Sequence, residues 1–174
     1  MVRTQRGINS LSKAMNRDTD SIWQILGQVK DPEIPVVSVV EMGLIRGVGL
    51  DGETIIITMA PTFAGCPALQ VMQSEIADRL RKGGVQEVRV QITLSPPGST
   101  DWVTPPARQK LKDFGLSPPP RHSGRIDFAL SMAVACPYCS SENTSLKNDF
   151  GPTLCQAIYV CNHCQQLFEF FKPL

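Results

Sequence analysis

An α+β architecture is predicted for this 174-residue chain: a small α/β sandwich domain followed by a β-rich ribbon closed by thiols. Three observations predict it. Between residues 21 and 115, stripes of helical period alternate with runs of β period. Pro118-Pro119-Pro120 then forms a stiff, extended break. Beyond it lie two C-x-x-C pairs, Cys136/Cys139 and Cys161/Cys164, separated by 21 residues.

The elements follow in order. Ser21 and Gln24 read as a capping box, and Ile22, Ile25, Leu26 and Val29 share one helical face. Pro32 is expected to end that helix, because it lacks an amide proton and restricts its predecessor. Residues 44–50 and 54–59 are β-rich and joined at Asp51-Gly52, a hairpin signal. Leu69, Met72, Ile76 and Leu80 stripe a second helix that Gly83-Gly84 stops. Val88, Val90, Ile92 and Leu94 alternate, as in a strand with one buried face. Thr104-Pro105 opens a third helix carrying Ala107, Leu111 and Phe114 and closed by Gly115. These signals divide the chain into an extension at 1–15, expected to be disordered, an α/β domain at 16–120 and a ribbon at 121–174. The prolines are expected to hold the two modules apart, each with its own core. A ribbon this small cannot build a sufficient core without a metal.

Composition narrows the class. Formal charge is +1 and 42% of residues are hydrophobic, ordinary for a soluble protein with a real core. No apolar run approaches the roughly 18 residues of a membrane span. The metal spacing of four of the six cysteines, without a secretory segment before them, argues against a disulfide framework. A reducing, cytoplasmic setting is expected. Arg3, Arg6 and Lys13 without an acid would also suit a transit peptide, and Met15 would serve as an alternative start.

Each C-x-x-C aims two thiolates at one point, and two facing turns supply a tetrahedral site. The gap slightly exceeds the usual spacing of about 15–20 residues, which a longer hairpin absorbs. Cys136, Cys139, Cys161 and Cys164 are therefore assigned a structural zinc, with rubredoxin-like iron as the alternative. Four thiolates leave no open position for a substrate. His163 lies inside the second knuckle as a substitute ligand. Cys155 belongs to neither pair, and is expected to pack in the ribbon core or to face the metal as a fifth thiol. Phe168, Phe170 and Phe171 are expected to form the ribbon's core and an exposed docking face.

In the first domain Cys66 carries the sharpest signal. It stands at an expected helix N-cap before Pro67, where free amides and the helix dipole would lower the thiol pKa. Such a thiolate would serve as nucleophile, metal ligand or transient cluster ligand; the alternative is a buried thiol acting as a small hydrophobe. The histidine next along the chain is His122, so a cysteine-hydrolase triad has little support. Asp31 and Glu33 flank Pro32, as candidate ligands or as local turn chemistry. In the loop Pro96–Trp102, Trp102 either faces a partner or folds back on the core.

Asp31-Pro32-Glu33-Ile34-Pro35, Glu41-Met42-Gly43-Leu44-Ile45 and Gly65-Cys66-Pro67 resemble the small domain of iron–sulfur assembly factors. With the ribbon, Phe150-Gly151-Pro152-Thr153-Leu154-Cys155 and the ending Phe168, Phe171, Lys172, Pro173, the chain from about Met15 is similar to one branch. That branch comprises the accessory subunits of the D type (also called J) in phenylacetyl-CoA 1,2-epoxidase systems. The resemblance implies a non-catalytic role in phenylacetate catabolism, helping to mature or repair the di-iron or iron–sulfur centres of the oxygenase and reductase subunits. It implies a transient iron or iron–sulfur cluster at Cys66, with Asp31 and Glu33 beside it. Gly98 stands where the branch carries a tryptophan, which implies a more open pocket if that ring covers Cys66. A homodimer is left open. Two rivals remain. A nucleic-acid ribbon needs a basic face, yet Arg121, Arg125, Lys147 and Lys172 are balanced by Asp127, Glu142, Asp149 and Glu169. A thiol-redox enzyme normally carries one C-x-x-C, not two facing knuckles.

Overall fold

The computed structural model describes residues 19–63, 65–125 and 132–174. The extension expected at 1–15 lies outside them. Residue 19 is already helical, so Ser21 lies within helix α1 (19–26) rather than at its cap. Ile22 and Leu26 are buried on one face as their spacing requires. The helix stops at Leu26, well before Pro32, and the chain leaves through a turn in which Gln28 N–H donates to Ile25 O at 3.0 Å.

The first sheet contains β1 (Ile45–Asp51), β2 (Thr54–Met59) and β3 (Glu87–Ile92) in the order β1-β2-β3. β1 and β2 are antiparallel, with Asp51 opposite Thr54, so the tight turn is Gly52-Glu53, one residue beyond the expected pair. β3 runs parallel to β2, and a parallel neighbour demands a crossover. Helix α2 (Ala68–Lys82) supplies it, burying Ala68, Met72, Ile76 and Leu80 along one stripe over Ile57 and Met59. Each of the large side chains contributes about 1.5–3 kcal/mol by leaving water. The buried face expected through Leu94 ends earlier. Ile92 pairs with Met59, the last residue of β2, and Leu94 is exposed because no strand continues opposite it.

Helix α3 (Pro105–Asp113) starts as its sequence requires: Thr104 Oγ1 accepts the Ala107 amide at 3.3 Å, with proline at the first turn. Ala107 and Leu111 are buried, but Phe114 stands past the last helical turn and is exposed. Trp102 is half-buried and lies against Gly43, outside the core cluster. Gly43 has φ +73°, and a Cβ there would lie 2.5 Å from Trp102 Cβ, so glycine alone permits this approach. The Arg46 guanidinium, displaced at a register shift in β1, lies 3.7 Å above the indole.

The second sheet has the order β4-β7-β6-β5, with β4 (Leu116–Ser117), β5 (Thr144–Asn148), β6 (Gln156–Cys161) and β7 (Leu167–Phe171). β4 precedes the prolines yet pairs with β7, so the triple proline does not hold two modules apart. The reason lies in β7, whose side chains alternate. Phe168 and Phe170 pack on Tyr159, at ring separations of 5.9 and 5.5 Å, while Phe171 enters the core of the first unit. All three are buried, so the exposed phenylalanine face expected from the sequence is absent. Polar seams close the junction. Thr100 N–H donates to Leu174 O at 2.9 Å, and Ser117 Oγ donates to Ala135 O at 2.8 Å. Arg108 donates to the carbonyls of Thr100 (2.7 Å), Val103 (3.2 Å) and Pro119, fastening the proline run to α3.

Candidate metal centres

The ribbon knuckles are two copies of one turn. Ser140 N–H donates to Cys136 O and Gln165 N–H donates to Cys161 O, both at 2.9 Å. The residue after each second cysteine is left-handed, Ser140 at φ 60° and Gln165 at φ 62°. This geometry folds each pair back on itself and faces the two pairs across the β5–β6 hairpin. The Cys136 and Cys164 sulfurs are 3.7 Å apart, those of Cys139 and Cys161 are 3.5 Å apart, and all four lie within 4.8 Å. Four sulfurs about 2.3 Å from a tetrahedral zinc would be separated by about 3.8 Å, so the quartet fits such an ion. Cys164 N–H points at Cys161 Sγ (3.4 Å), an amide donor suited to a thiolate. Before metal binds, crowded thiols divide their protons unevenly. Cys161 is lowered to about 6, chiefly by the Cys164 amide against burial, with help from the His163 amide and neighbouring sulfurs. Cys139 is pushed up to about 12, the Ser141 amide opposing burial and the adjoining sulfurs. His163 is exposed and outside the quartet, and Cys155 is not a fifth thiol there.

The second site lies at the junction of the two units. Residues 31–37 form a loop closed at its base by the Lys30–Ser38 bridge and by Asp31 N–H donating to Val37 O (3.2 Å). Asp31 Oδ1 accepts the amides of Glu33 (2.8 Å) and Ile34 (3.1 Å), so Asp31 does perform turn chemistry, and Ile34 anchors the loop in the core. Ser38 and Glu41 cap one another reciprocally at 2.9 and 3.2 Å, fixing the next turn. This arrangement brings Asp31 and Glu33 beside Cys66, on the loop before α2. The three share a small cavity of about 30 Å³ with Phe63, Cys155 and Phe171. Gly98 braces its wall from behind: a Cβ there would meet Pro61 O at 2.3 Å, and Pro61 lines the cavity.

Cys66 differs from its sequence reading. The helix begins at Ala68 with Pro67 as N-cap, so Cys66 lies one residue before the cap. Its thiol pKa is raised, not lowered: burial outweighs the Ala68 amide, and the charges of Glu33, Cys155 and Asp31 add to the rise. Burial likewise raises Asp31 against its two amide donors, and raises Glu33 with the help of Asp31. Cys155 rises through burial, opposed by a 3.1 Å contact with Thr153 Oγ1. Four acids thus crowd one small volume, each resisting ionisation. His122 sits elsewhere, against Asp101 and Leu174, and supplies no base to Cys66.

Cys155 and Phe171 are the cavity residues that sequence reasoning placed elsewhere. The signals pointing to Cys155 are its isolation from both C-x-x-C pairs and its place at the end of the Phe150–Cys155 run. It packs against the core of the first unit, not within the ribbon's own core of Cys136, Cys161 and Phe168.

Comparison with known proteins agrees with both halves. Residues 19–92 match the family described as iron–sulfur cluster assembly protein, and residues 121–172 match the PaaD zinc beta ribbon domain. An Escherichia coli protein, named as the D component of a 1,2-phenylacetyl-CoA epoxidase, is 40% identical over 151 residues, 87% of this chain and 90% of that protein. A Synechocystis sp. protein named iron-sulfur cluster carrier protein is 31% identical over 119 residues, 67% of this chain but 33% of that protein. Among solved structures, a domain of unknown function from Bacillus anthracis covers 53% of this chain and 89% of its own, with 29% identity and a TM-score of 0.49. The chain, an α/β domain with a C-terminal zinc ribbon, therefore belongs to the PaaD family of phenylacetyl-CoA epoxidase components.

Proposed function

We propose that this chain is a non-catalytic accessory factor of a phenylacetyl-CoA epoxidase, acting in the cytoplasm to mature or repair its metal centres. In this reading Cys66, Asp31 and Glu33 hold iron or an iron–sulfur cluster transiently, as cargo, while the ribbon cysteines hold a structural zinc. The oxygenase and reductase subunits are the recipients. The observation that carries the reading is the convergence of Cys66, Asp31 and Glu33 on one cavity at the seam of the two units. At about 30 Å³ that cavity is far smaller than the pockets of roughly 300–1,000 Å³ that organic ligands occupy. The name of the Synechocystis relative supports an iron–sulfur cargo and that of the Escherichia coli relative supports the epoxidase as recipient, while the balanced charge of the ribbon weighs against nucleic acid as its partner.

Cys66→Ser tests it. Serine is nearly isosteric and Cys66 is only part-buried, so the fold is expected to survive. With wild-type and variant chains at equal abundance in cells, the variant is expected to leave the oxygenase under-loaded with metal and growth on phenylacetate sharply reduced. Equal metal content and equal growth would overturn the assignment of Cys66 to the cargo.

A further inference from the structure

We infer that Cys155 is a second thiol ligand for the iron cargo, so that the carrier site is composite, completed by the ribbon. The inference rests on the reading of Cys66 as a cargo ligand and adds a partner from the other unit. Three structural facts carry it. Cys155 lines the cavity that Cys66, Asp31 and Glu33 line. It has no place in the ribbon quartet, whose four sulfurs already fill a tetrahedral shell. Its backbone is also anchored, the carbonyl accepting the Lys172 amide at 2.9 Å, and its sulfur lies 3.1 Å from Thr153 Oγ1. Phe171, packed in the core of the first unit, holds the ribbon edge against the cavity.

Chemistry gives the second sulfur a purpose. One thiol and two carboxylates make a largely hard donor set, which suits magnesium or manganese as well as iron; a second thiolate shifts the preference toward iron, alone or with sulfide. Among the described residues the quartet is the group with three or more ligand atoms within 4.8 Å, so the cavity donors are more widely spread. Such donors must move together to bind. That suits a site that releases its cargo, while the ribbon's zinc keeps Cys155 at the rim.

The test uses zinc-loaded, full-length protein under anaerobic conditions, with ferrous iron alone in one arm and ferrous iron plus sulfide in the other. Alkylation by iodoacetamide, mapped by peptide mass, reads the protection of each cysteine, and bound iron is counted per chain. Cys66 and Cys155 are expected to be protected together, and Cys155→Ser to weaken iron binding about tenfold or more, at the scale of lost ligand-sphere contacts. The arm that protects them distinguishes an ion from a cluster. Protection of Cys66 alone, or unchanged binding by a folded Cys155→Ser chain, would overturn the inference and leave the carrier reading intact. No iron bound by the wild type in either arm would overturn both. If Cys155→Ser unfolds, Cys155→Ala and the wild-type protection pattern decide.

Discussion

At the ribbon tip, four thiols are gathered by two turns of one design, each made from neighbours three residues apart, and their sulfurs already stand at the spacing of a tetrahedral ion. At the junction, two thiols from different units and two carboxylates line a common cavity beside Phe171, which is packed in the core of the first unit. Both sites use the same functional group. What separates them is where the cost of assembly falls. Local turns alone gather the quartet, so its sulfurs stand ready for one ion. The junction groups are brought together by tertiary packing, lie farther apart than the quartet's sulfurs, and each resists ionisation.

The largest effect expected from breaking the first site is loss of the ribbon. Thiolate knuckles of this kind draw on the order of 10 kcal/mol from their metal. Chelation at neutral pH is therefore expected to erase amide protection in β5, β6 and β7 in a hydrogen-exchange experiment. The α1–α2–sheet core should stay folded, at a lower melting temperature because Phe171 and β4 lose their partners. Ribbon amides that remain protected after stoichiometric metal removal would show that the quartet is not what closes this unit.

Next in size is Phe171→Ala, which attacks the junction without touching a thiol. Phe171 is 2% exposed and sits among residues of the first unit. Removing a buried phenylalanine costs about 3–5 kcal/mol. Calorimetry is expected to show that cost in the melting of the first unit, and Cys155 should become more reactive toward alkylation while the zinc content stays at wild-type level. If the two units were independent, the first would melt unchanged.

How much of this is legible in the sequence follows from the same contrast. The quartet is readable because its geometry is local: C-x-x-C spacing determines the turn. α3 is readable for the same reason, since Thr104 and Pro105 satisfy its first amides whatever surrounds them. The company that Cys155 and Phe171 keep is not readable. Both depend on β4 joining the ribbon sheet, a long-range pairing that leaves no periodic trace in two residues. The proline run points the wrong way because a stiff segment need not separate what it joins, and Arg108 ties the Pro119 carbonyl to α3. The thiol of Cys66 is misleading in sequence because a helix start says nothing of the burial and neighbouring acids that the fold brings to it.

The smallest expected effect concerns the other seam, where Asp101 Oδ1 accepts the His122 amide at 2.8 Å. Burial would raise the carboxyl pKa, but the His122 amide, the His122 ring and the amides of Ser123 and Gly124 hold it below the ordinary value of 3.8. Arg108 lies close enough to be stabilised by the same charge. A depressed carboxyl contributes stability that is fully present above its unfolded value and is lost as pH falls through its lower folded value. Asp101→Asn keeps an acceptor for the His122 amide and removes only the charge. Because the side chain is partly solvated, the loss at neutral pH is expected to be about 1 kcal/mol or less, and smaller still in high salt. Denaturant unfolding at a series of pH values should show the two proteins converging below the ordinary carboxylate range, with the wild type ahead above it. A constant gap down to strongly acidic pH would mean that the substitution disturbs the seam by something other than loss of the Asp101 charge. The four-cysteine quartet is expected to be indifferent to the change at neutral pH, which separates the seam from the ribbon tip in the same experiment.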